Sequence, residues 1–395
     1  MKLLFIHQNA PAQFHHLLAA LAAEASHRIA CISTRSGLAL AGVGCISYAP
    51  AVAPTLTAAM LERGGAVGEI CAGLARNGFT PDLVVGHPGW GETLMVKSVL
   101  PHSRLLHYCE FFPRTTGADL GFDPAVSVSQ NERDAIAARS TVLRRALGSG
   151  DAGLAPTRWQ RSLHPTDLQS SIDVIHDGID TAAHAPDPGA RFALPNGTLL
   201  AAGDEVVTYV ARSLEPHRGF PSFMRTVPTI LRRRPRAQIV VLGIDPPSYG
   251  PPPAAFPHWR AAMLAEIGPF DGSRLHFLGH LAAAQYRRLL QVSAAHVYLT
   301  MPFVLSWSML EAMASGCLVI GSATAPVEEV IADGENGLLV DFFDAEALAA
   351  RVVAALASPA GFAGLRQAAR QTVIARYRLA DCLRQQRALI DRLVG

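Results

Sequence analysis

Short apolar runs alternate with longer segments of helical spacing along the whole chain, and this alternation constrains the fold more than any other feature. Short apolar runs bounded by turn formers are typical of strands that are buried on both faces. Strands that are separated by helices predict a parallel sheet with helices packed on both sides. In the first half, the predicted strands are Lys2–His7, Arg28–Ser33, Leu83–Gly86, Arg104–Tyr108, Ala125–Val128 and Ile172–His176.

The pattern pauses at Asp177–Gly203, where turn formers crowd the sequence as they do in a linker, and then it restarts. A chain of 395 residues is also too long for one ordinary core. We therefore expect an N-terminal domain at 1–185, a C-terminal domain at 186–378, and a last helix at about 379–395 that packs back on the first domain. The helices predicted in the first half are Gln13–Ala25, Thr57–Asn77, Gly91–Leu100 and Asn131–Leu147.

The second half repeats the same winding, so the predicted fold class is α/β, with two Rossmann-like doubly wound domains that face a cleft. Its predicted helices are Phe220–Arg234, Ala283–Val292, Ser308–Ser315, Ala345–Leu356 and Leu379–Leu393. Its predicted strands are Glu205–Ala211, Gln238–Gly243, Arg274–Leu278, His296–Thr300, Cys317–Gly321 and Gly337–Val340.

Composition excludes several classes of protein. The chain is 50% hydrophobic and 17% charged, which is typical of globular proteins, and its formal charge of +2 argues against a nucleic-acid partner. The six cysteines are scattered and form no CxxC pair, as expected in a reducing compartment. The start does not resemble a signal peptide, and no stretch predicts a spanning helix. We expect a cytoplasmic protein, and the basic clusters Arg232–Arg236 and Arg144–Arg145 leave open a peripheral contact with the inner membrane face.

In doubly wound sheets, ligands bind beyond the carboxyl ends of the strands, so the turns there are the first places to search. Arg212 stands at the exit of one predicted strand, and Arg218 stands just before Gly219 and a new helix. Two guanidinium groups beside a glycine turn suit a diphosphate, because each can bind bidentately. The alternative interpretation is that both arginines are solvated surface charges.

A second turn, Pro302–Ser306, precedes a helix that carries Glu311 about one turn in. A carboxylate there can accept hydrogen bonds from the vicinal hydroxyls of a ribose, or it can be an ordinary acidic residue favoured by the helix dipole. The third turn precedes a helix starting near Pro326, where Glu329 is either a ligand or a solvent-facing residue. The strand ends that carry Gly243 and Leu278 can shape a base pocket or serve only packing.

The ordered series ARSLEPHRGF, QIVVLG, LHFLGH, SWSMLEAMASG and APVEEVIADGENGLLV resembles the donor half of retaining glycosyltransferases of family 4, which have the GT-B fold. The resemblance covers most of residues 205–357, and VIHDGID also matches the interdomain turn of this family. It implies that Arg212 and Arg218 bind the donor diphosphate and that Glu311 binds the ribose. It also implies that the turn amides of Val304, Leu305 and Ser306 contact the phosphate and the sugar.

One position departs from the pattern of this family, which usually has a first glutamate eight residues before the one that matches Glu311. Here that position is Phe303. An aromatic ring cannot accept hydrogen bonds from sugar hydroxyls, so we expect an unusual donor sugar, an unusual sugar pose or loss of activity.

The first half is expected to bind the acceptor. Asn9–Gln13 follow the first strand and resemble the first loop of the family without its paired glycines. His87 ends a predicted strand between Gly86 and Gly89, which suits proton transfer or hydrogen bonding, although a purely structural histidine is the alternative. Glu110 follows Arg104–Tyr108 and is the other candidate for a polar active-site group. Its aromatic neighbours also fit a simple core.

The resemblance therefore implies a retaining transferase of the hexosyltransferase type that uses a UDP-sugar or a GDP-sugar and acts on a glycan, lipid or protein acceptor. The resemblance implies a front-face reaction with no protein nucleophile, no cofactor and no bound metal. Arg212 and Arg218 would stabilise the departing diphosphate. Two alternatives stay open: a nucleotide-sugar 2-epimerase, and a non-catalytic sugar-nucleotide-binding protein of the same fold.

Overall fold

A computed structural model describes residues 1–50 and 52–395. The chain forms two compact units, the first made of Met1–Gly178 with Leu379–Gly395 and the second of Ile179–Arg378. The division at Gly178 and Ile179 lies a few residues before the predicted boundary at 185. The backbone explains this position, because the Ile179 amide donates to the Tyr377 carbonyl and the His184 carbonyl accepts from Arg370, both inside the second unit.

A parallel sheet forms the centre of the first unit. Within the described residues of this unit its strands lie in the order β3-β2-β1-β4-β5-β6-β7, and every pair is parallel. The strands are β1 (Lys2–Ile6), β2 (Arg28–Ser33), β3 (Val43–Ser47), β4 (Leu83–Gly86), β5 (Arg104–Tyr108), β6 (Ala152–Ala155) and β7 (Ile172–Val174).

Helices cover both faces of this sheet, because alternate residues of each buried strand point to opposite sides. Leu3 and Phe5 pack in one core cluster with Leu389 of the C-terminal helix, Leu379–Val394. Leu4 and Ile6 point to the other face and pack in a second cluster with residues of the helices Leu56–Arg76 and Val96–Val99. The helices before the C-terminal one are α1 (His15–Ala22), α2 (Leu56–Arg76), α3 (Val96–Val99), α4 (Gln130–Leu147) and α5 (Arg158–Leu163).

The predicted strand Ala125–Val128 is wrong. Asp123 makes a turn there, because its side chain accepts from the Ala125 amide and its carbonyl accepts from the Val126 amide. Val126 is 60% exposed, so the apolar run buries little surface. Two strands that we did not predict, β3 and β6, complete the sheet; β3 is only half-buried and β6 has the small sequence AGLA, so neither shows a strong apolar run.

The second unit repeats this plan. Its six-stranded parallel sheet has the order β12-β11-β10-β13-β14-β15, and all residues from 179 to 378 are described. The strands of this sheet are β10 (Val206–Ser213), β11 (Gln238–Ile244), β12 (Leu275–Gly279), β13 (Ala295–Tyr298), β14 (Leu318–Ser322) and β15 (Leu338–Val340). Two further strands, β8 (Arg191–Ala193) and β9 (Leu199–Ala201), form a separate two-stranded sheet. The helices are α6 (Phe220–Arg233), α7 (Trp259–Glu266), α8 (Ala283–Val292), α9 (Trp307–Ala314), α10 (Ala325–Glu328), α11 (Ala345–Ala357) and α12 (Ala363–Tyr377).

The stretch that we predicted as a linker contains an antiparallel hairpin, β8 and β9. Phe192 and Leu200 of this hairpin are buried in a core cluster with Val240 and Leu289 of the second unit. The turn formers PNG therefore mark a hairpin turn rather than a flexible connection. Helices α7 and α12 were also absent from our prediction.

No single helix among the described residues is long and apolar enough to cross a bilayer. Helix α11 and the segment Pro359–Tyr377 pass the length and composition test only as a pair, and the chain bends by 107° between them.

The C-terminal helix gives a direct test of how the first unit is stabilised. Leu389 is 2% exposed in the core cluster, so Leu389→Ala should lower the free energy of unfolding by about 2–4 kcal/mol in urea denaturation. The matched control is Arg384→Ala on the same helix, whose side chain is 72% exposed and should cost under about 0.5 kcal/mol. Equal effects of the two substitutions would contradict this packing.

Candidate functional site

The strand order of the second unit creates a switch point between β10 and β13. From β10 the chain crosses to β11 on one side, while β13 pairs with β10 on the other side. Connections that leave in opposite directions open a crevice at the carboxyl ends of the two strands, which is where doubly wound sheets bind ligands. The turns after β10 and β13 meet here.

Arg218 links these two turns. Its Nη1 donates to Thr300 Oγ1 at 3.2 Å and to the Val304 carbonyl at 3.0 Å. Its Cζ lies 5.4 Å from the centre of the Phe303 ring. A guanidinium group has five N–H donors, so these bonds fix Arg218 without using all of them. The structure therefore places a fixed positive charge at the switch point.

Gly219 lets the chain enter α6 directly after Arg218. Its φ of +67° lies in the left-handed region, and a Cβ there would come within 2.3 Å of Leu299 Cβ. Only glycine fits both requirements. The close approach of these two turns holds Arg218 next to Thr300.

Arg212 behaves differently from Arg218. It lies exposed in β10, where the pairing register shifts between Val210 and Ser213. Within the part of the chain that the structure describes, the Arg212 side chain forms no hydrogen bond and no ion pair. The structure therefore does not fix Arg212 beside Arg218, and only the second of the two predicted arginines is held by the switch point.

Glu215 supports the same turn, and our sequence reasoning did not identify it. It is 1% exposed, and its Oε2 accepts from the amides of Ser248 and Tyr249 at 2.8 and 2.7 Å. Burial raises the pKa of Glu215, and these two hydrogen bonds oppose that effect. The bonds hold the loop after β11, and the ring of Tyr249 then lies 4.7 Å from the ring of Phe303.

Phe303 is 7% exposed and lies in an aromatic cluster rather than in solvent. Its ring contacts Tyr249, His217 and the guanidinium of Arg218. Edge-to-face ring contacts and a cation over an aromatic face are both stabilising. Phe303 therefore helps to hold the Arg218 guanidinium in place.

Of the three turn residues that follow, Val304 and Leu305 are each 8% exposed. The Val304 carbonyl accepts from Arg218, and Leu305 packs in a core cluster. The Ser306 amide donates to Tyr298 Oη at 2.8 Å, and the Ser306 side chain caps α9. The Ser306 amide thus already has a partner within the protein.

Glu311 lies one turn into α9 and faces two side chains. Its Oε2 accepts from Tyr286 Oη at 2.8 Å, and its Oε1 lies 3.6 Å from Nε2 of His184. Burial raises the pKa of Glu311, and the hydrogen bond from Tyr286 partly offsets this increase. The sequence singled out Glu311 but neither of its neighbours.

The remaining positions predicted in this unit have packing surroundings. Leu278 packs against the core cluster around Val240, and Gly243 lies near the end of β11. Glu329 follows α10, and its backbone carbonyl accepts from Arg376. None of these observations assigns a ligand to these residues.

The first unit has its own switch point, between β1 and β4. His87 follows β4 and Glu110 follows β5, so both stand at the carboxyl edge of the sheet. His87 Nε2 lies 3.2 Å from Glu110 Oε2, and the other oxygen of Glu110 accepts from the Gln13 side chain. The structure thus brings three predicted residues, His87, Glu110 and Gln13, into one hydrogen-bonded group.

The hydrogen bonds of His87 define where its proton lies. The Gly89 amide donates to Nδ1 at 3.1 Å, so Nδ1 is an acceptor and carries no proton. His87 therefore donates to Glu110 through a proton on Nε2. Burial alone raises the pKa of Glu110, but the hydrogen bonds from His87 and Gln13, together with the electrostatic effect of His87 and His7, outweigh it and hold the pKa below the ordinary value of 4.5.

Asn9 is exposed at the turn after β1, and its backbone N–H donates to Nδ1 of His7 at 2.9 Å. The ring of His7 lies 5.1 Å from the ring of His87. His7 was not among our predicted residues, although it is the first residue after β1. Its position directly after a buried strand is the signal that could have identified it.

The turn that carries His87 is packed tightly against α2. Gly91 has a φ of +102°, and a Cβ there would lie 2.1 Å from the Met60 carbonyl oxygen. The next residue, Glu92, is fully buried and accepts from Tyr48 Oη at 2.8 Å. The contacts with α2 and Tyr48 hold this turn in place.

The basic clusters are partly neutralised. Arg234 and Arg236 both donate to Glu205, and Arg144 pairs with Asp167. Among the described residues, no three His, Cys, Asp or Glu side chains are arranged to hold a metal ion.

Comparison with known families places the two halves separately. Residues 25–184 match the model of a glycosyl transferase family 4 group, and residues 204–358 match the model of glycosyl transferases group 1. The two matches cover the second parallel sheet and every strand of the first except β1, and they include the turns that carry His87, Arg218 and Glu311.

Individual relatives agree with these matches. The GDP-mannose-dependent alpha-(1-6)-phosphatidylinositol monomannoside mannosyltransferase of Mycolicibacterium smegmatis is 26% identical over 243 residues, which are 58% of this chain and 59% of that protein. The chain thus spans about three fifths of the length of this relative.

Two solved structures share the fold over essentially the whole chain. Sucrose-phosphate synthase of Thermosynechococcus elongatus has a TM-score of 0.76 at 20% identity, with 100% of this chain and 99% of that one covered. HepE of Anabaena, in complex with UDP-glucose, has a TM-score of 0.70 at 14% identity, with both chains covered completely. At these identities the likeness shows the architecture only.

The Glu110 group predicts a pH dependence of stability. A carboxyl group whose pKa is lowered by folding stabilises the fold above its unfolded pKa, and this contribution disappears as the pH falls through the folded pKa. Wild type should therefore lose stability relative to Glu110→Gln as the pH falls below about 4.5, in urea denaturation at a series of pH values. Parallel pH profiles for the two proteins would contradict the assigned hydrogen bonds.

The close packing of Gly91 against the backbone of α2 predicts that Gly91 cannot be replaced. Gly78 provides a matched control, because its φ of +78° imposes the same backbone strain while a Cβ would meet nothing within 4 Å. Gly78→Ala should lower the free energy of unfolding by about 1–2 kcal/mol. Gly91→Ala should lower it clearly further, because the added Cβ meets backbone. Equal losses in urea denaturation would show that the turn is not held against α2.

Proposed function

Because the chain belongs to glycosyltransferase family 4, we propose that it transfers a hexose from a UDP-sugar or a GDP-sugar to an acceptor hydroxyl with retention of anomeric configuration. The observation that carries this proposal is the guanidinium of Arg218, held by Thr300 and Val304 at the switch point of the second unit. A fixed positive charge at that place suits the diphosphate of a nucleotide sugar.

Glu311 supports the donor site as the acceptor of the ribose hydroxyls. Its Oε2 is engaged by Tyr286, while its Oε1 lies 3.6 Å from His184, which is beyond hydrogen-bond distance. A carboxylate oxygen offers two lone pairs, so Glu311 retains acceptor capacity for a diol. In this proposal Arg212, which is exposed at the end of β10, places a second positive charge beside the diphosphate only when the donor is bound.

Both nucleotide bases stay in the proposal. The mycobacterial relative is named as GDP-mannose-dependent, whereas the structure of HepE contains UDP-glucose. Phe303 places an aromatic ring where the resemblance implies a sugar-binding glutamate. We therefore propose a donor sugar that makes no charged contact at this position.

The proposed chemistry needs no protein nucleophile. The acceptor hydroxyl attacks the anomeric carbon on the face from which the nucleotide leaves, and a leaving phosphate oxygen takes its proton. Arg218 stabilises the charge that develops on the diphosphate. In the first unit, the ionised Glu110 and the exposed Asn9 are proposed to contact a glycan, lipid or protein acceptor. His87 orients Glu110 through its Nε2 proton.

Binding and turnover of a panel of UDP-sugars and GDP-sugars test this proposal, by calorimetry and by detection of released nucleotide. Wild type should bind one nucleotide class selectively, and Arg218→Ala should weaken that binding by about tenfold or more, because hydrogen bonds to charged groups are strong. Arg236→Ala is the matched control, since its side chain is 85% exposed and pairs with Glu205. Its binding should equal that of wild type.

The same panel separates the alternative functions. Slow donor hydrolysis without acceptor, and faster consumption with one, is the result expected of a transferase. Conversion of the sugar without an acceptor would favour a 2-epimerase, and tight binding without turnover would favour a non-catalytic binding protein. Absence of binding to every member of the panel would contradict the donor site itself.

A further inference from the structure

The carboxylate of Glu311 is held by a residue on a different helix. Tyr286 lies on α8, Glu311 lies on α9, and the Tyr286 hydroxyl donates to Oε2 at 2.8 Å. The body of Tyr286 packs against the two core clusters of the second unit, so its hydroxyl has a fixed position. Tyr286 is half-buried, and a hydroxyl that is held in this way and donates to a carboxylate restricts the rotation of that carboxylate.

His184 lies beside the other oxygen of the same carboxylate and forms no hydrogen bond with it. Its Nε2 lies 3.6 Å from Oε1, and its ring centre lies 6.1 Å from that of Tyr286. Burial, with a contribution from the nearby Arg287, lowers the pKa of His184 to about 4. His184 is therefore neutral at ordinary pH and forms no ion pair that would occupy Oε1.

We propose that Tyr286 is a positioning residue for the donor, which fixes Glu311 so that Oε1 meets the ribose hydroxyls. This inference rests on the proposed function of Glu311 as the ribose ligand. Tyr286 touches neither the sugar nor the diphosphate in this assignment, and it acts only through the carboxylate. Its effect must therefore be specific to nucleotides that carry the ribose diol.

The experiment compares affinities for a nucleoside diphosphate and its 2′-deoxy counterpart, by calorimetry with UDP, GDP, 2′-deoxy-UDP and 2′-deoxy-GDP. Wild type should bind the ribonucleotide about tenfold more tightly than the deoxy form, since a hydrogen bond to a charged group is lost. Tyr286→Phe should reduce this ratio by about fivefold while leaving affinity for the deoxy form nearly unchanged. A purely structural role would weaken both ligands alike and leave the ratio unchanged.

Two further variants make the result specific. Glu311→Gln should lower the ratio at least as far as Tyr286→Phe. The double variant should match Glu311→Gln alone, because Tyr286 acts through that carboxylate. The matched control is Tyr48→Phe, which removes the hydroxyl that donates to the buried carboxylate of Glu92 in the first unit. It should leave the ratio at its wild-type value.

The outcomes distinguish this inference from the proposed function. If Glu311→Gln loses discrimination while Tyr286→Phe retains it, the role of Tyr286 is wrong and the donor site stands. If wild type binds neither nucleotide, or binds ribo and deoxy forms equally, both the inference and the assignment of Glu311 are wrong. Tyr286→Phe retains the ring, so its fold can be verified by circular dichroism alongside the binding measurement.

Discussion

The order of the strands decides where each sheet can leave polar groups uncovered. In a fully parallel sheet the carboxyl ends of all strands lie at one edge, and helices cover both faces. A crevice opens at that edge only where successive connections leave in opposite directions. In the second unit this place lies between β10 and β13, and in the first unit it lies between β1 and β4. The turn that carries Arg218 in the second unit and the turn that carries His87 in the first stand at these two places.

The two switch points are built from different chemistry. In the second unit a guanidinium is held by a carbonyl, a hydroxyl and an aromatic face, so the positive charge of Arg218 is fixed before any ligand arrives. In the first unit the His87 imidazole and the Gln13 side-chain amide hold a carboxylate, and the negative charge of Glu110 is fixed instead. Buried charges need such partners because desolvation opposes the charged form. One arrangement suits an anion and the other suits a hydroxyl donor.

The sequence predicted both windings because buried parallel strands appear as unbroken apolar runs. The ranges Arg28–Ser33, Leu83–Gly86 and Arg104–Tyr108 agree with the structure at both ends. It did not predict β3 and β6, whose apolar signal is weak. It also placed a strand at Ala125–Val128, where an aspartate turn takes the amide hydrogens.

Within the candidate sites, the sequence identified residues that stand in turns but not those that hold them from a distance. Glu215 and Tyr286 have hydrogen-bond partners that lie far away in the chain. Spacing also could not show that Arg212 lies exposed in a register shift while Arg218 is fixed. Contacts of this kind depend on tertiary packing, and periodicity contains no information about them.

The proposed function requires a donor nucleotide to bind at the switch point of the second unit, on Arg218. The most direct measurement is a crystal structure of the full chain with UDP or GDP, whichever binds more tightly. We expect a phosphate oxygen of the nucleotide within hydrogen-bond distance of the Arg218 guanidinium, with the ribose hydroxyls on Glu311. A nucleotide that is ordered elsewhere, with no contact to the turns after β10 and β13, would contradict the assignment of Arg218 to the donor site.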